Sequence, residues 1–493
     1  MTRTISARRV ATLVDAFDRS PAYRGLADSV RRLVMDGRIT VGVRLPSERD
    51  LTDALGVSRT TVTRAYAELR DLGYLTSRQG SGSVASLPGS ALGYRGDHLL
   101  PPGVVAPEGA IDLTVAAPSA PPGTMAAFEA AVQKLPGHLG ATGYSPSGLP
   151  ELREAIAARY DARGLPTRPD QVIVTAGALA GLAVAARAVA GPGERAVVES
   201  PTYPNAIATL QHAGTRIAGL DVDHTGWDVA QVEATVRQVR PRLAYLIPDF
   251  HNPTGALMPD SVRARVGAAL TRAGTTTIVD ESLVDLRLDP LEMPLPFAAY
   301  ATGAISIGSL SKSFWGGLRI GWVRAPDALV TACFKARLSL DLGAALLEQL
   351  VAVELLADPG NVLAERRRLL AHSRSAAVAA LAEQLPEWRV PSIRGGLTLW
   401  CELPEARSTA LAMAAEPHGV LLAAGPAFAP EGGFDRYLRI PLTQPAEVLV
   451  EAVRRLAAAW DDVRCDRLPD RPSRGVVPAP DRRTQRDRKS VVA

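Results

Sequence analysis

Lysine is what this chain most conspicuously lacks. Of 55 basic residues in 493, four are lysine, at positions 134, 312, 335 and 489, and the other 51 are arginine. Wherever a positive charge suffices the chain uses a guanidinium, so a lysine set among serines and glycines is there for its amine. Cysteine is scarce as well. Cys333, Cys401 and Cys465 are odd in number and far apart, which argues against a disulfide framework and against a zinc cluster, so no metal is expected. Long apolar runs are missing too. The alanine-rich stretch 176–190 contains Arg187 and is short for a membrane span, and Asp15 and Asp18 interrupt any apolar N-terminal run. A soluble cytoplasmic protein with no membrane partner is expected. Nor is there a large excess of either charge: the net is +4, unevenly spread. Residues 1–86 hold 14 arginines against 9 acids, the last 28 hold 8 basic residues against 4 acids, and the remainder is net acidic. A basic head on an acidic body points to a polyanion as the head's partner.

The length predicts two or three domains, and a hydrophobic content of 47% supports a large core. In the head, Leu26, Val30, Leu33 and Val34 recur at helical spacing over 22–36. Ser47 is placed to cap a short helix over 48–55, Gly56 and Val57 make a turn, and Ser58 caps a second helix running to about Leu72. Val62, Ala65, Tyr66 and Leu69 form the inner stripe of that helix. Two strands flanking Gly80-Ser81-Gly82 read as a wing. Two short helices at a tight turn are the helix-turn-helix arrangement, whose second helix enters the major groove. The motifs Leu45-Pro46-Ser47-Glu48-Arg49, Val57-Ser58-Arg59-Thr60-Thr61-Val62 and Gly80-Ser81-Gly82-Ser83 together resemble the GntR-type winged helix. That resemblance implies double-stranded DNA as partner, with contacts from Arg49, Ser58, Arg59, Thr60, Thr61 and Thr63, and from Gln79 and Gly80 at the wing. The winged-helix domain is expected over 1–86.

Residues 87–110 are rich in proline, glycine and small side chains, without periodicity, and read as a linker. In the body, 111–464, short apolar runs at 171–175, 195–199, 216–220, 243–247, 275–279 and 304–308 alternate with mostly helical segments. They predict a mainly parallel α/β sheet. Ligands in such sheets lie beyond the C-terminal ends of the strands, and the chemically interesting residues follow those ends. Gly177 and Ala178 open a helix where backbone N–H groups can meet a phosphate, or simply make a strand-to-helix turn. Tyr203 is placed to stack on a flat heteroaromatic ring, or simply to pack in its loop. Asn252, in Asn252-Pro253-Thr254-Gly255, can bond a phenolic oxygen, although Asn-Pro is also an ordinary turn. Asp280 can hold a pyridine nitrogen protonated and keep the ring an electron sink, although acids also end strands for ordinary structural reasons. Lys312 sits in Ser309-Leu310-Ser311-Lys312, seven residues before Arg319. A desolvated lysine can form an imine, with serine hydroxyls and an arginine fork nearby for a phosphate.

This order and spacing resembles the fold-type I, aspartate-aminotransferase-like proteins, which bind pyridoxal 5'-phosphate (PLP). The resemblance implies that Lys312 forms the imine, as catalytic residue, that Asp280 meets the ring nitrogen and Asn252 the ring hydroxyl, and that Tyr203 stacks. Gly177, Ala178, Ser309, Ser311 and Arg319 would hold the phosphate. It implies a smaller C-terminal α/β subdomain from about residue 325, where Arg439 grips an amino-acid carboxylate unless it serves a structural ion pair. Residues 465–493, arginine- and proline-rich, read as a disordered tail. In one respect the chain departs from that family. The family's usual tyrosine two or three residues past the aspartate is replaced by Ser282 and Leu283, which argues against efficient transamination more than against PLP binding.

The two halves together resemble the MocR/PdxR group of bacterial regulators. A PLP-dependent DNA-binding regulator is therefore expected, sensing PLP or an amine or amino acid as effector, in a head-to-tail homodimer. The alternatives are a working aminotransferase with an accessory DNA-binding head, and a PLP-storage protein.

Overall fold

The computed structural model describes residues 4–14, 16–35, 38–39, 43–78, 82–86 and 109–465. The expected wing-tip residues Gln79 and Gly80, nearly all of the linker and the tail from 466 lie outside them.

The head opens with α1 (Ala7–Val14), followed by α2 (Ala22–Met35), α3 (Glu48–Leu55) and α4 (Arg59–Asp71). Local chemistry sets both ends of the short helices. Ser47 Oγ accepts from the Asp50 N–H at 3.2 Å, and Gly56, at φ +62°, ends α3 in the left-handed conformation that favours glycine. Ser58 Oγ accepts from the Thr61 N–H at 3.1 Å and so starts α4. The expected inner stripe is buried throughout, together with Leu26, Val30, Leu33 and Val34 of α2. Tyr66 carries its hydroxyl into that core and donates to the Pro46 carbonyl at 3.0 Å, which satisfies both groups. Strands β1 (Leu75–Arg78) and β2 (Gly82–Ala85) pair antiparallel as the wing. Helix α1 is an element the sequence reading lacked; it buries only Val10 and Val14, a pattern too short to read as a period.

The body begins with β3 (Ile111–Asp112), α5 (Thr124–Lys134) and α6 (Pro150–Ala162), and then the alternation sets in. Its elements are β4 (Val172–Thr175), α7 (Ala178–Val189), β5 (Arg195–Ser200), α8 (Pro204–His212), β6 (Arg216–Asp223), β7 (Gly226–Trp227), α9 (Val229–Val239), β8 (Leu243–Leu246), α10 (Asp260–Arg272), β9 (Thr276–Asp280), β10 (Ile305–Ser309) and β11 (Gly321–Arg324). They form one eight-stranded sheet in the order β4-β11-β10-β9-β8-β5-β6-β7. Strands β10, β9, β8, β5 and β6 run parallel, as expected. Strand β11, which the sequence reading did not separate from the lysine loop, is antiparallel to both β10 and β4. Successive residues of β8 point to opposite faces: Leu243 and Tyr245 pack towards α7 and α8, Ala244 and Leu246 into the core on the other face. With both faces covered, every residue of β4, β8, β10 and β11 is buried, which is why β8, and β4 up to Thr175, are continuously apolar rather than alternating.

Three helices follow, α11 (Asp327–Leu338), α12 (Leu346–Ala357) and the long α13 (Gly360–Gln384). The remaining elements are β12 (Thr398–Glu402), α14 (Ser408–Ala415), β13 (Val420–Leu421), β14 (Ala423–Ala424), β15 (Tyr437–Pro441) and α15 (Ala446–Arg464). Strands β12, β15 and β14 make a small antiparallel sheet, while β13 pairs parallel with β3, tying the start of the body to its end. Among the described residues no helix is long and apolar enough to cross a membrane.

Candidate functional site

The parallel strands aim their C-terminal ends at one place. Asp280 is the last residue of β9 and Ser309 the last of β10, and β9 and β10 are direct neighbours, with Asp280 opposite Ile307. Lys312 follows three residues after Ser309. Its amine donates to the carbonyl of Ala116 at 2.7 Å. Burial pulls the amine's pKa down to about 8, with Arg439 and Arg319 adding to the effect and Asp280 opposing it. Roughly a tenth of such amines are neutral at pH 7, against fewer than about one in a thousand for an ordinary lysine. The rate at which Lys312 captures an aldehyde is therefore expected to climb with pH and level off above about 8. Stopped-flow mixing with PLP across pH 6–10 checks this, and a rise continuing beyond pH 10 would contradict it.

Asp280 is buried, and burial raises its pKa. Opposing that are hydrogen bonds from Ser282 and Tyr245 and the nearby Lys312. Tyr245, on the neighbouring strand β8, donates its hydroxyl to Asp280 Oδ2 at 2.8 Å, and the Ser282 N–H donates to Oδ1 at 2.9 Å. Tyr245 is a site residue that sequence reasoning missed. It lies 35 positions from Asp280, and only strand order makes them neighbours.

The expected phosphate residues converge. Gly177, at φ +93°, precedes α7, and a Cβ there would lie 2.8 Å from Arg319 Nη2. Arg319 Nη2 donates to the Ala176 carbonyl at 2.8 Å. Ser309 Oγ donates to Ser311 Oγ at 2.9 Å and accepts from the Ser311 N–H at 3.1 Å. Gly321 closes the cradle from below: a Cβ on it would lie 2.5 Å from the Gly177 carbonyl carbon and 2.7 Å from the Ala178 nitrogen. The opening of α7 thus offers free N–H groups beside a guanidinium and two hydroxyls, an anion site.

Tyr203 directly precedes α8, accepts from Asn205 Nδ2 at 3.0 Å, and lies near enough to Asp280, Arg439 and Arg319 for their charges to act on its hydroxyl. Burial raises that hydroxyl's pKa. Asn252 has its Oδ1 buried without a hydrogen-bond partner among the described residues. The turn around it is held by His251, which bonds Thr254 Oγ1 at 2.9 Å, and by Thr398 of the small sheet, which donates to the Pro253 carbonyl at 3.1 Å. Arg439 on β15 is buried, donates to the Thr114 carbonyl, and lies 4.8 Å from the Phe428 ring centroid.

These residues fit PLP. A buried carboxylate with raised pKa makes no ion pair among the described residues and suits a cationic ring nitrogen. A glycine-lined cradle suits a phosphate, an orphaned amide oxygen suits a polar ring substituent, and a depressed amine suits an aldehyde. A further set, also unread in the sequence, braces the lysine loop. Ser313 donates to Asp285 Oδ2 at 2.7 Å, Arg159 of α6 grips both Asp285 oxygens at 2.8 Å, and Arg366 of α13 donates to the carbonyls of Phe314 and Ser313 at 2.6 and 3.4 Å.

In the head, Arg49, Ser58, Arg59, Thr60 and Thr63 are exposed around the start of α4. Ser58 and Thr61 bond one another at the start of α4, while Thr63 donates to Glu48 Oε2 at 2.6 Å and so also braces α4 against α3.

Comparison with known proteins agrees with both halves. Residues 110–456 match the family of aminotransferase class I and II, and residues 22–84 match the bacterial regulatory proteins of the gntR family. The chain is 31% identical over 396 residues to the HTH-type pyridoxine biosynthesis transcriptional regulator PdxR of Corynebacterium glutamicum, covering 77% of this chain and 83% of that one. It is 29% identical over 391 residues to the probable rhizopine catabolism regulatory protein MocR of Rhizobium meliloti, covering 75% and 78%. Among solved structures it resembles LysN, the alpha-aminoadipate aminotransferase of Thermus thermophilus complexed with N-(5'-phosphopyridoxyl)-L-leucine. The TM-score is 0.67 at 28% identity, over 73% of this chain and 94% of that one. This chain belongs to the aminotransferase class I and II family, in the group of regulators that carry a gntR-family head, and its cofactor is pyridoxal phosphate.

Proposed function

We propose that the chain reports PLP, or an amine or amino acid that takes PLP from Lys312, through a change in how its head engages DNA. The chain is a PLP-dependent transcriptional regulator; the residue roles and the effector are the inferred part. The observation that carries the reading is the pairing of a complete PLP-type site with an exposed helix-turn-helix in one chain. Lys312 would hold the cofactor covalently. Asp280, kept in place by Tyr245, would bind its ring nitrogen, Asn252 its ring oxygen, Tyr203 its face, and Gly177, Ala178, Ser309, Ser311 and Arg319 its phosphate. When bound, the cofactor supplies an aldehyde and an electron sink. Arg439 is suited to an effector carboxylate, to which a guanidinium can make two parallel bonds. Ser282 and Leu283 stand where the family usually carries a tyrosine, neither supplies a phenol beside the cofactor site, and this favours sensing over turnover. An assay with amino donors and keto acids separates the readings: steady turnover that Lys312→Ala abolishes would favour the aminotransferase.

The proposed division is a DNA-binding head over 1–86, a linker over 87–110, an effector body over 111–464 with its smaller part from about 325, and a tail beyond, in a cytoplasmic protein. The proposed assembly is a head-to-tail homodimer, and exposed apolar side chains at Met125, Leu139, Tyr144, Leu338, Leu340 and Leu342 support self-association. The loops bearing Tyr144 and Leu342 adjoin, since a Cβ on Gly343 would lie 2.8 Å from the Ser145 carbonyl oxygen. At the DNA, Arg59 opens the helix proposed to enter the major groove. Arg59→Ala is expected to weaken operator binding by about 1–3 kcal/mol, roughly five- to 150-fold, without altering PLP loading. Anisotropy with labelled DNA and a PLP titration check the two halves of that statement.

A further inference from the structure

One segment accepts hydrogen bonds from both Lys312 and Arg439 and continues directly from the linker. From Asp112 to Ser119 the chain runs past Lys312 and Arg439 and offers backbone carbonyls to four side chains. Gln444 Nε2 donates to Asp112 O at 3.2 Å, Arg439 donates to Thr114 O, Lys312 donates to Ala116 O at 2.7 Å, and Arg366 donates to Ser119 O at 2.5 Å. The strap is moored at its linker end. Ile111 and Leu113 N–H groups donate to Gly419 and Leu421 carbonyls at 2.8 and 2.9 Å, and Arg455 donates to the Gly109 carbonyl at 3.3 Å. Asp112 shapes it, since Oδ1 accepts from both the N–H and the hydroxyl of Thr114, at 2.7 and 2.6 Å.

We propose that residues 112–119 are the strap through which occupancy of the PLP site is transmitted to the linker and so to the DNA-binding head. The inference rests on the regulatory reading above and deepens it. Its physical content is competition for donors. As the neutral Lys312 amine condenses with an aldehyde, its nitrogen forms a double bond to the carbonyl carbon, and two N–H hydrogens leave with the aldehyde oxygen as water. The nitrogen is left with at most one proton, fixed in the plane of the new double bond, and Ala116 O loses its donor. A carboxylate arriving at Arg439 competes in the same way with Thr114 O. Two of the four carbonyl anchors are therefore given up to ligands, while the Asp112 and Ser119 anchors stay. Both carbonyls are half-buried, so water replaces a lost donor only in part, and the balance shifts towards another arrangement of the strap. A ligand shifts an equilibrium only through such contacts that differ between states. Nothing in the strap's sequence advertises this, because carbonyls are common to all residues.

The test uses the full chain and PLP alone as probe. Amide hydrogen exchange of the peptide spanning 109–120 is measured with and without PLP, beside DNA affinity for wild type, Lys312→Ala and Asp112→Ala. The expected result is exchange about fivefold or more faster with PLP in wild type and unchanged in Lys312→Ala. Asp112→Ala should load PLP within about twofold of wild type, by absorbance, yet lose most of the PLP-dependent change in DNA affinity. If DNA affinity responds to PLP while strap exchange does not, the strap is overturned and the regulatory reading stands. If the strap loosens but Asp112→Ala responds to PLP like wild type, transmission through the strap is likewise overturned. If DNA affinity is indifferent to PLP in wild type, the regulatory reading fails and takes the coupling with it.

Discussion

Lys312→Ala is expected to abolish covalent capture of PLP. After brief exposure to PLP and reduction with borohydride, the wild-type chain should carry a pyridoxyl group on the peptide containing Lys312, and the variant none above the background of the other lysines. Only a neutral amine attacks an aldehyde, and Lys312 is held near 8 by burial and by the Arg439 and Arg319 charges. Of the other described lysines, Lys134 is ion-paired to Glu354 and Lys335 is exposed; neither stands at a strand end beside a phosphate cradle. At a given pH the neutral fraction alone favours Lys312 by about two orders of magnitude over an ordinary lysine. Lys312→Arg, which keeps a cation near Ala116 O but has no amine to give, should fail equally, separating chemistry from charge. The head's helices α1 to α4 pack on one another and Lys312 lies in the body, so both variants should still bind DNA. Mass spectrometry of the digested protein reads the label, and comparable labelling elsewhere in the chain would remove Lys312 from its role.

Gly321→Ala is expected to damage the site as severely from the other side. The added Cβ would lie 2.5 Å from the Gly177 carbonyl carbon, 2.6 Å from the Gly308 oxygen and 2.7 Å from the Ala178 nitrogen. All three are backbone atoms of strands and helix starts, so none can swing aside as a flexible side chain would. Relief requires β11 to part from the start of α7, which are the two walls of the phosphate cradle. Overpacking of this kind costs about 1–3 kcal/mol of stability, and PLP affinity is expected to fall by about tenfold or more as the cradle opens. Gly316→Ala is the control, because a Cβ there meets nothing within 4 Å. Urea unfolding and PLP titration of both variants test the pair. Unchanged PLP affinity in Gly321→Ala would mean that the phosphate is not held where Gly177 and Ala178 meet Arg319.

What could be read from the sequence was what local chemistry decides. Ser47, Gly56 and Ser58 set helix ends through bonds to residues three or four positions away, so the helix-turn-helix was legible almost to the residue. Lys312 stood out by rarity, and the strand-end residues by following continuous apolar runs. The unread parts depend on which strands neighbour which. Tyr245 meets Asp280 only because β8 adjoins β9, and Arg366 reaches the lysine loop from 52 residues away. Strand β11 hid because it turns back antiparallel soon after the glycine-rich loop, within four residues. The contact of Lys312 with Ala116 spans 196 residues and ends on a backbone carbonyl, which no residue pattern encodes.

The central claim is that PLP on Lys312 alters the grip of the head on DNA. It is tested most directly by measuring affinity for the intergenic DNA beside the protein's own gene, with PLP-free and PLP-loaded chain, in wild type and Lys312→Ala, at one fixed salt concentration. The account predicts affinities that differ by about fivefold or more between the two wild-type states, and no difference between the two preparations of the variant. Equal affinities for free and loaded wild type, with the pyridoxyl label demonstrated on Lys312, would contradict it.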